Sequence, residues 1–252
     1  MSHMVYRQSN PALNPKYFQP GMGSERMSLE GTINKTLTML GFVGIIALIA
    51  YSICLQNPGY TWIFTIGGGI GGFVMALAIF WIRPAQPQVL IGMYAILEGL
   101  FVGAFSFYVE YYYLGGSEGV VLQALVGTVA VFITMLTLYR MRIIQATQKL
   151  TLAVVSMVFA IMMIYMFNFI LSFMGASVPF LHSNGPIGIG ISVVFTGVAA
   201  LCLILDFAAI ENGVKFGAPK NMEWYAAFGL LITLVWLYIE VLKLIAKINS
   251  RD

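Results

Sequence analysis

The chain has 252 residues, 60% of them hydrophobic and only 9% charged, against roughly a quarter charged in an ordinary soluble domain. So few charges cannot coat a globule of this size with water-compatible surface, and the mean hydropathy of +0.87 agrees. With a net charge of +3 and no basic run to track phosphates, nucleic-acid binding is not expected. The composition is that of an integral membrane protein.

Residues 1–33 read as a polar, cytoplasmic and partly disordered N-terminal segment, interrupted by Pro11, Pro15 and Pro20. It lacks the basic-then-apolar layout of a signal peptide, and residues 1–4 resemble a tag remnant, so His3 is set aside. Residues 34–248 read as one transmembrane domain. Crossing a hydrocarbon core of about 30 Å at 1.5 Å per residue takes about 20 apolar residues. Seven stretches qualify, near 34–55, 61–82, 89–109, 119–139, 150–174, 187–210 and 224–247. Asn57-Pro58-Gly59, Pro84 and Pro87, Gly115-Gly116, Pro179 and Pro186, and Gly213, Gly217 and Pro219 punctuate them. Alternating strands of about ten residues are absent, so the expected fold is an all-α, seven-transmembrane-helix bundle.

Lysine and arginine set the orientation. Arg7, Lys16, Arg26, Lys35, Arg83, Arg140, Arg142, Lys149, Lys215 and Lys220 fall before span 1 or after spans 2, 4 and 6, and the loops after spans 1, 3 and 5 carry none. That puts the N-terminus inside. Seven full spans then place Lys243, Lys247 and Arg251 outside, against the rule, unless the last span is re-entrant; seven full spans are the preferred reading. Lys243, near a helix end, reads as snorkelling. Gly67-Gly68-Gly69, Gly71-Gly72, Gly185, Gly188, Gly190 and Gly197 let helices approach closely. Cys54 and Cys202 lie inside apolar runs and imply no disulfide.

An ionisable group inside a span costs about 2.5–3.5 kcal/mol or more and marks a functional candidate by default. Glu98 in span 3, Asp206 in span 6 and Glu240 in span 7 are the three. Burial disfavours charge, so each is a candidate proton acceptor. Span 2 ends at Arg83, near the inner face where Asp206 also lies, which allows an Arg83–Asp206 latch; Arg140 and Arg142 compete for it. Glu110, Glu118, Glu211 and Glu223 flank loops and read as solvated, His182 as a surface residue, and Asn168 and Tyr165 as makers of interhelical hydrogen bonds.

Three segments carry a resemblance: Leu97-Glu98-Gly99-Leu100-Phe101-Val102-Gly103, the run from Gly185-Pro186-Ile187-Gly188 to Asp206, and Glu223-Trp224-Tyr225 through Leu237-Tyr238-Ile239-Glu240. They resemble the Bax inhibitor family, the transmembrane BAX-inhibitor-motif proteins, in its bacterial branch. The resemblance implies six helices around a central seventh. It further implies a pH-sensitive cation leak, chiefly of calcium, in a multi-pass protein of the bacterial plasma membrane. A carboxylate pair from the last two helices would sense protons, latched by a basic residue near the end of helix 2. Asp206 and Glu240 match that pair and are the candidate calcium contacts. The chain departs in carrying Glu, not Asp, in helix 7, and in Phe207-Ala208 where Thr-Gln is usual.

The spacing from Asp206 to Glu240 leaves two alternatives open. Asp206 pairs with Glu240, as the motif implies, or with Glu223 by hairpin symmetry while Glu240 pairs with Glu98. No cofactor is expected beyond calcium as permeant ion and the proton as regulator, and membrane-protein partners are unspecified. A proton-coupled secondary transporter is one rival reading; a membrane interaction protein regulating stress or cell survival is another. An intramembrane protease lacks its motifs, so no enzymatic activity is expected. A retinal protein fits only loosely, through Lys243 and Glu98.

Overall fold

The computed structural model describes residues 25–116, 119–176 and 178–250, without the side chains of Phe180 and His182. Arg7, Lys16, Glu118, Arg251, the side chain of His182 and the supposed remnant at 1–4 lie outside the described residues. Among the described residues, seven helices are long and apolar enough to cross a membrane. We number them α1 Leu29–Gln56, α2 Tyr60–Ile82, α3 Gln88–Phe107, α4 Val120–Arg140, α5 Gln148–Phe173, α6 Pro186–Lys215 and α7 Met222–Asn249. The third span continues past α3 as a π-helical turn, Tyr108–Tyr113, and a single helical turn, Pro179–His182, precedes α6. The transmembrane helical bundle read from the sequence is what the chain forms.

Start and stop signals are local. Ser28 caps α1 by accepting from the Gly31 N–H, and Thr147 caps α5 by accepting from the Leu150 N–H. Pro186 occupies the first turn of α6, where its missing N–H costs nothing. Arg83 ends α2 in the left-handed region (φ 47°).

Side-chain contacts establish which helix ends share a side. Residues ahead of α1 lie against the α6–α7 loop: the Met27 N–H donates to the Ala218 carbonyl (2.7 Å) and the Lys220 N–H to the Glu25 carbonyl (3.2 Å). The Tyr225 hydroxyl reaches the Pro84 carbonyl (2.8 Å), and Arg142 approaches Glu211 (3.7 Å). The α2–α3 and α4–α5 loops are thereby brought to the same face, which collects the basic residues. Lys220 also pairs with Glu25 (2.6 Å), and this contact raises the pKa of its ammonium. At the opposite end Tyr113 bonds Asn184, and Lys247 reaches the first turns of α6. Helix α7 therefore crosses the full bundle.

Two thirds of the most apolar window of α7 is buried, the largest share of any span, and 17% for α2, α4 and α5. It packs against α1, α3, α4 and α6. Its apolar core contacts include Phe228, edge-on to Tyr94 of α3 with ring centroids 4.9 Å apart.

Glycine lets α3 sink between α1 and α2. A Cβ on Gly103 would stand 2.2 Å from the Ala47 carbonyl oxygen, and one on Gly68 2.7 Å from the Leu97 carbonyl oxygen. Gly103→Ala is therefore expected to destabilise the bundle by roughly 1–3 kcal/mol through forced separation of α1 and α3. Gly44→Ala, where a Cβ would meet nothing within 4 Å, should leave thermal unfolding in detergent nearly unchanged.

Candidate functional site

Helix α7 supplies a ruler for the buried acids. Lys247 donates to the Gly188 carbonyl (3.2 Å) and the Ser192 hydroxyl (2.9 Å) on α6. Carried down the antiparallel α6–α7 hairpin, this register sets Asp206 level with Leu231 and Glu240 level with Gly197. Asp206 and Glu240 are then nine residues apart along the bundle, about 13 Å at 1.5 Å per residue. Both are buried, at 1% and 2% exposure. At that separation they cannot share a calcium ion, whose oxygen ligands lie about 2.3–2.6 Å away.

Glu98 belongs to the level of Asp206. Helices α3 and α7 run parallel, tied at Tyr94–Phe228 and again at Ser106–Tyr238, whose hydroxyl oxygens are 2.7 Å apart. Interpolation puts Glu98 opposite Leu231. Tyr94, one turn earlier, borders the same gap beside Gly72. A Cβ on Gly72 of α2 would come within 2.9 Å of the Glu98 Oε2. The absence of a side chain at Gly72 thus makes room for a half-buried carboxylate between α2 and α3.

Glu240 has partners of its own. Its Oε1 accepts from the Tyr165 hydroxyl of α5 (2.9 Å), from the Trp236 indole (3.2 Å) and from the Lys243 ammonium (2.8 Å). Lys243 donates to the Tyr165 hydroxyl as well (2.7 Å) and sits 4.7 Å from its ring centroid. Tyr165 thus bonds between helices as expected. Lys243 does not snorkel free: three residues after Glu240, on the same face, it neutralises the acid. Asn168 caps the stretch after α5, its Oδ1 accepting from the Val178 N–H (2.9 Å), a bond to the connecting segment and not to a second spanning helix.

Two acids expected to be solvated are buried. Glu223 is fully buried and accepts from both the backbone N–H and the hydroxyl of Ser28 (each 2.9 Å), with Lys35 as ion-pair partner. It sits at the positive end of the α1 dipole, where a carboxylate is favoured. A cavity of about 410 Å³ opens beside it, lined by Asn34, Thr38, Lys220 and Trp224 among others. Glu110, 5% exposed in the π-helical turn, accepts from the Tyr51 hydroxyl (2.6 Å) and the Gly119 N–H (2.8 Å). Continuing from Ser106–Tyr238, it lies within about a turn of the Glu240 level. Glu211, by contrast, is half-exposed and held by Lys215 (2.6 Å) and Tyr139.

Arg83 is exposed at the end of α2. Its Nε donates to the Phe80 carbonyl (2.8 Å), and its charge acts on Tyr225. Tyr225 lies six residues below Leu231, which puts Arg83 about 9 Å nearer the basic face than Asp206.

The acids therefore occupy three levels along α7: Glu223 near the basic face, Glu98 and Asp206 midway, Glu240 and Glu110 toward the far face. Among the described residues no three His, Cys, Asp or Glu side chains converge as a metal site. If the Glu240–Lys243 contact is the counter-charge that allows Glu240 to be buried, removing one partner strands the other. Lys243→Met is expected to cost roughly 3 kcal/mol, with Lys243→Met/Glu240→Gln much less than additive. Thermal unfolding of the four proteins in detergent measures it; additive losses would refute the pair.

A family model described as Bax inhibitor 1 like matches residues 7–250, nearly the whole length, and the chain belongs to that family. Comparison with curated proteins and with solved structures finds no match.

Proposed function

We propose that this member of the Bax inhibitor 1 like family is a pH-sensitive cation leak of the plasma membrane, calcium its chief ion, without enzymatic activity. The observation that supports it best is the middle level, where Asp206, 1% exposed, and Glu98 stand at the same depth inside an apolar bundle. Burial disfavours the charged form of each, and a change of that charge by protonation alters which packing of the helices is favoured.

In this reading the proton sensor is Asp206 with Glu98, Arg83 is the latch on the basic-face side, and Glu240 with Lys243 forms a separate, already neutralised lock farther out. Acid loads the middle level with protons and moves a closed–open equilibrium toward the conducting state. The positive-inside distribution supports a cytoplasmic basic face, with the N-terminus on that side.

Calcium and potassium flux into proteoliposomes, followed from mildly alkaline to mildly acidic pH, tests the reading. Wild type should leak more as pH falls. Asp206→Asn and Glu98→Gln should each flatten the pH response at least several-fold, whereas Glu240→Gln should keep it. A wild type silent at every pH, or an undiminished pH response in Asp206→Asn/Glu98→Gln, would overturn the proposal. Proton uptake that depends on an added substrate would favour a coupled transporter.

A further inference from the structure

The pocket beside Glu223 stands apart from the proposed proton sensor, and its lining carries both signs of charge. It holds about 410 Å³, with Glu30, Asn34, Lys35 and Thr38 of α1 on one side and Lys220 and Trp224 on the other. Lys35 is held by Glu223 and lies 5.4 Å from the Trp224 ring centroid. Lys220, beside Glu25, keeps about half of its side chain exposed. Among the described residues, the Glu30 carboxylate and the Asn34 side-chain amide make no hydrogen bond or ion pair.

The stripe of α1 that borders this pocket changes character with depth. Glu30, Asn34, Thr38, Gly41, Ile45 and Leu48 recur every three or four residues, which sets them on one face, and all are exposed. The first three are polar and edge the pocket. The last three are apolar, and a Cβ on Gly41 would meet nothing within 4 Å. From Thr38 to Leu48 the helix rises about 15 Å, half of a hydrocarbon core of about 30 Å and so the depth of one leaflet. A pocket of mixed charge at the basic face thus leads into an apolar track as deep as one acyl chain.

The geometry points to a binding site for one phospholipid whose headgroup carries a primary amine, of the phosphatidylethanolamine class. Glu30 takes the ammonium, Lys220 and the Asn34 amide take the phosphate, and one chain lies along Gly41, Ile45 and Leu48. A purely anionic headgroup sets a like charge against Glu30 and brings nothing to pair with it. A quaternary ammonium has no N–H to donate to a carboxylate, so a choline headgroup loses the charge-assisted bond. The inference needs only that α1 spans a membrane; it stands whether or not the chain conducts ions.

Native mass spectrometry of the full chain in detergent, titrated with dioleoyl lipids that differ only in headgroup, tests it. Phosphatidylethanolamine should give one retained molecule, bound about tenfold better than phosphatidylcholine or phosphatidylglycerol, as one hydrogen bond to a charged group allows. Glu30→Gln should erase that preference. Asn34→Trp, which fills the pocket without altering a charge, should remove the retained lipid. Where Asn34→Trp does not fold, Glu30→Gln, a change at an exposed position, decides alone. Equal binding of the three lipids by wild type, or an unchanged preference in Glu30→Gln, overturns the inference. Glycerophosphoethanolamine has the same headgroup without the chains, and it should displace the lipid only at concentrations about a hundredfold higher or more. Displacement at the lipid's own concentration would make this a site for a soluble phosphoester and overturn the lipid assignment.

Discussion

A carboxylate inside a membrane must find a proton, a cation or a set of donors, and the answer differs at each level of this bundle. Near the basic face Glu223 takes all it needs from α1: two donors from Ser28 and the ammonium of Lys35. Toward the far face Glu240 draws on its own helix and on Tyr165, while Glu110 is held by Tyr51 and a loop N–H. Each of these three contacts joins two parts of the chain. The middle level has a different composition, with two acids at one depth and a glycine on α2 clearing space for one of them. The proposed response to protons belongs to that level.

The most buried helix gives this distribution its order. Because α7 touches α1, α3, α4 and α6, an acid on any of those helices is read against the same axis. A charge change at one level would then be felt by several helices through a single element. The glycine contacts of α3 bind it tightly to α1 and α2, so α1, α2 and α3 form a tight pack against which α7 bears.

The seven spans were legible because hydropathy and length suffice for them, and the loops because Pro and Gly mark them. The mid-span acids stood out for the same reason: charge is rare in such a setting. Partnerships were harder to read. Glu240–Lys243 was within reach of the sequence, since residues three apart on a helix are neighbours; treating Lys243 as snorkelling hid it. Glu223 and Glu110 lie at span ends, where solvation is the ordinary expectation, and their donors come from Ser28 and Tyr51, 195 and 59 residues away. No local pattern announces such contacts. The Asp206–Glu240 pairing came from the family motif, and the register of the α6–α7 hairpin, visible only once Lys247 meets Gly188, separates the two.

The backbone pairing between the chain ahead of α1 and the α6–α7 turn also has a mechanical side. Met27 with Ala218, Lys220 with Glu25 and Glu223 with Ser28 rivet that lead-in to the start of α7 before α1 has completed a turn. Tension applied ahead of Glu25 is delivered to the foot of α7, bypassing the six spans that lie between them in the chain. Anything grasping that lead-in thus holds a handle on the span with the largest buried share.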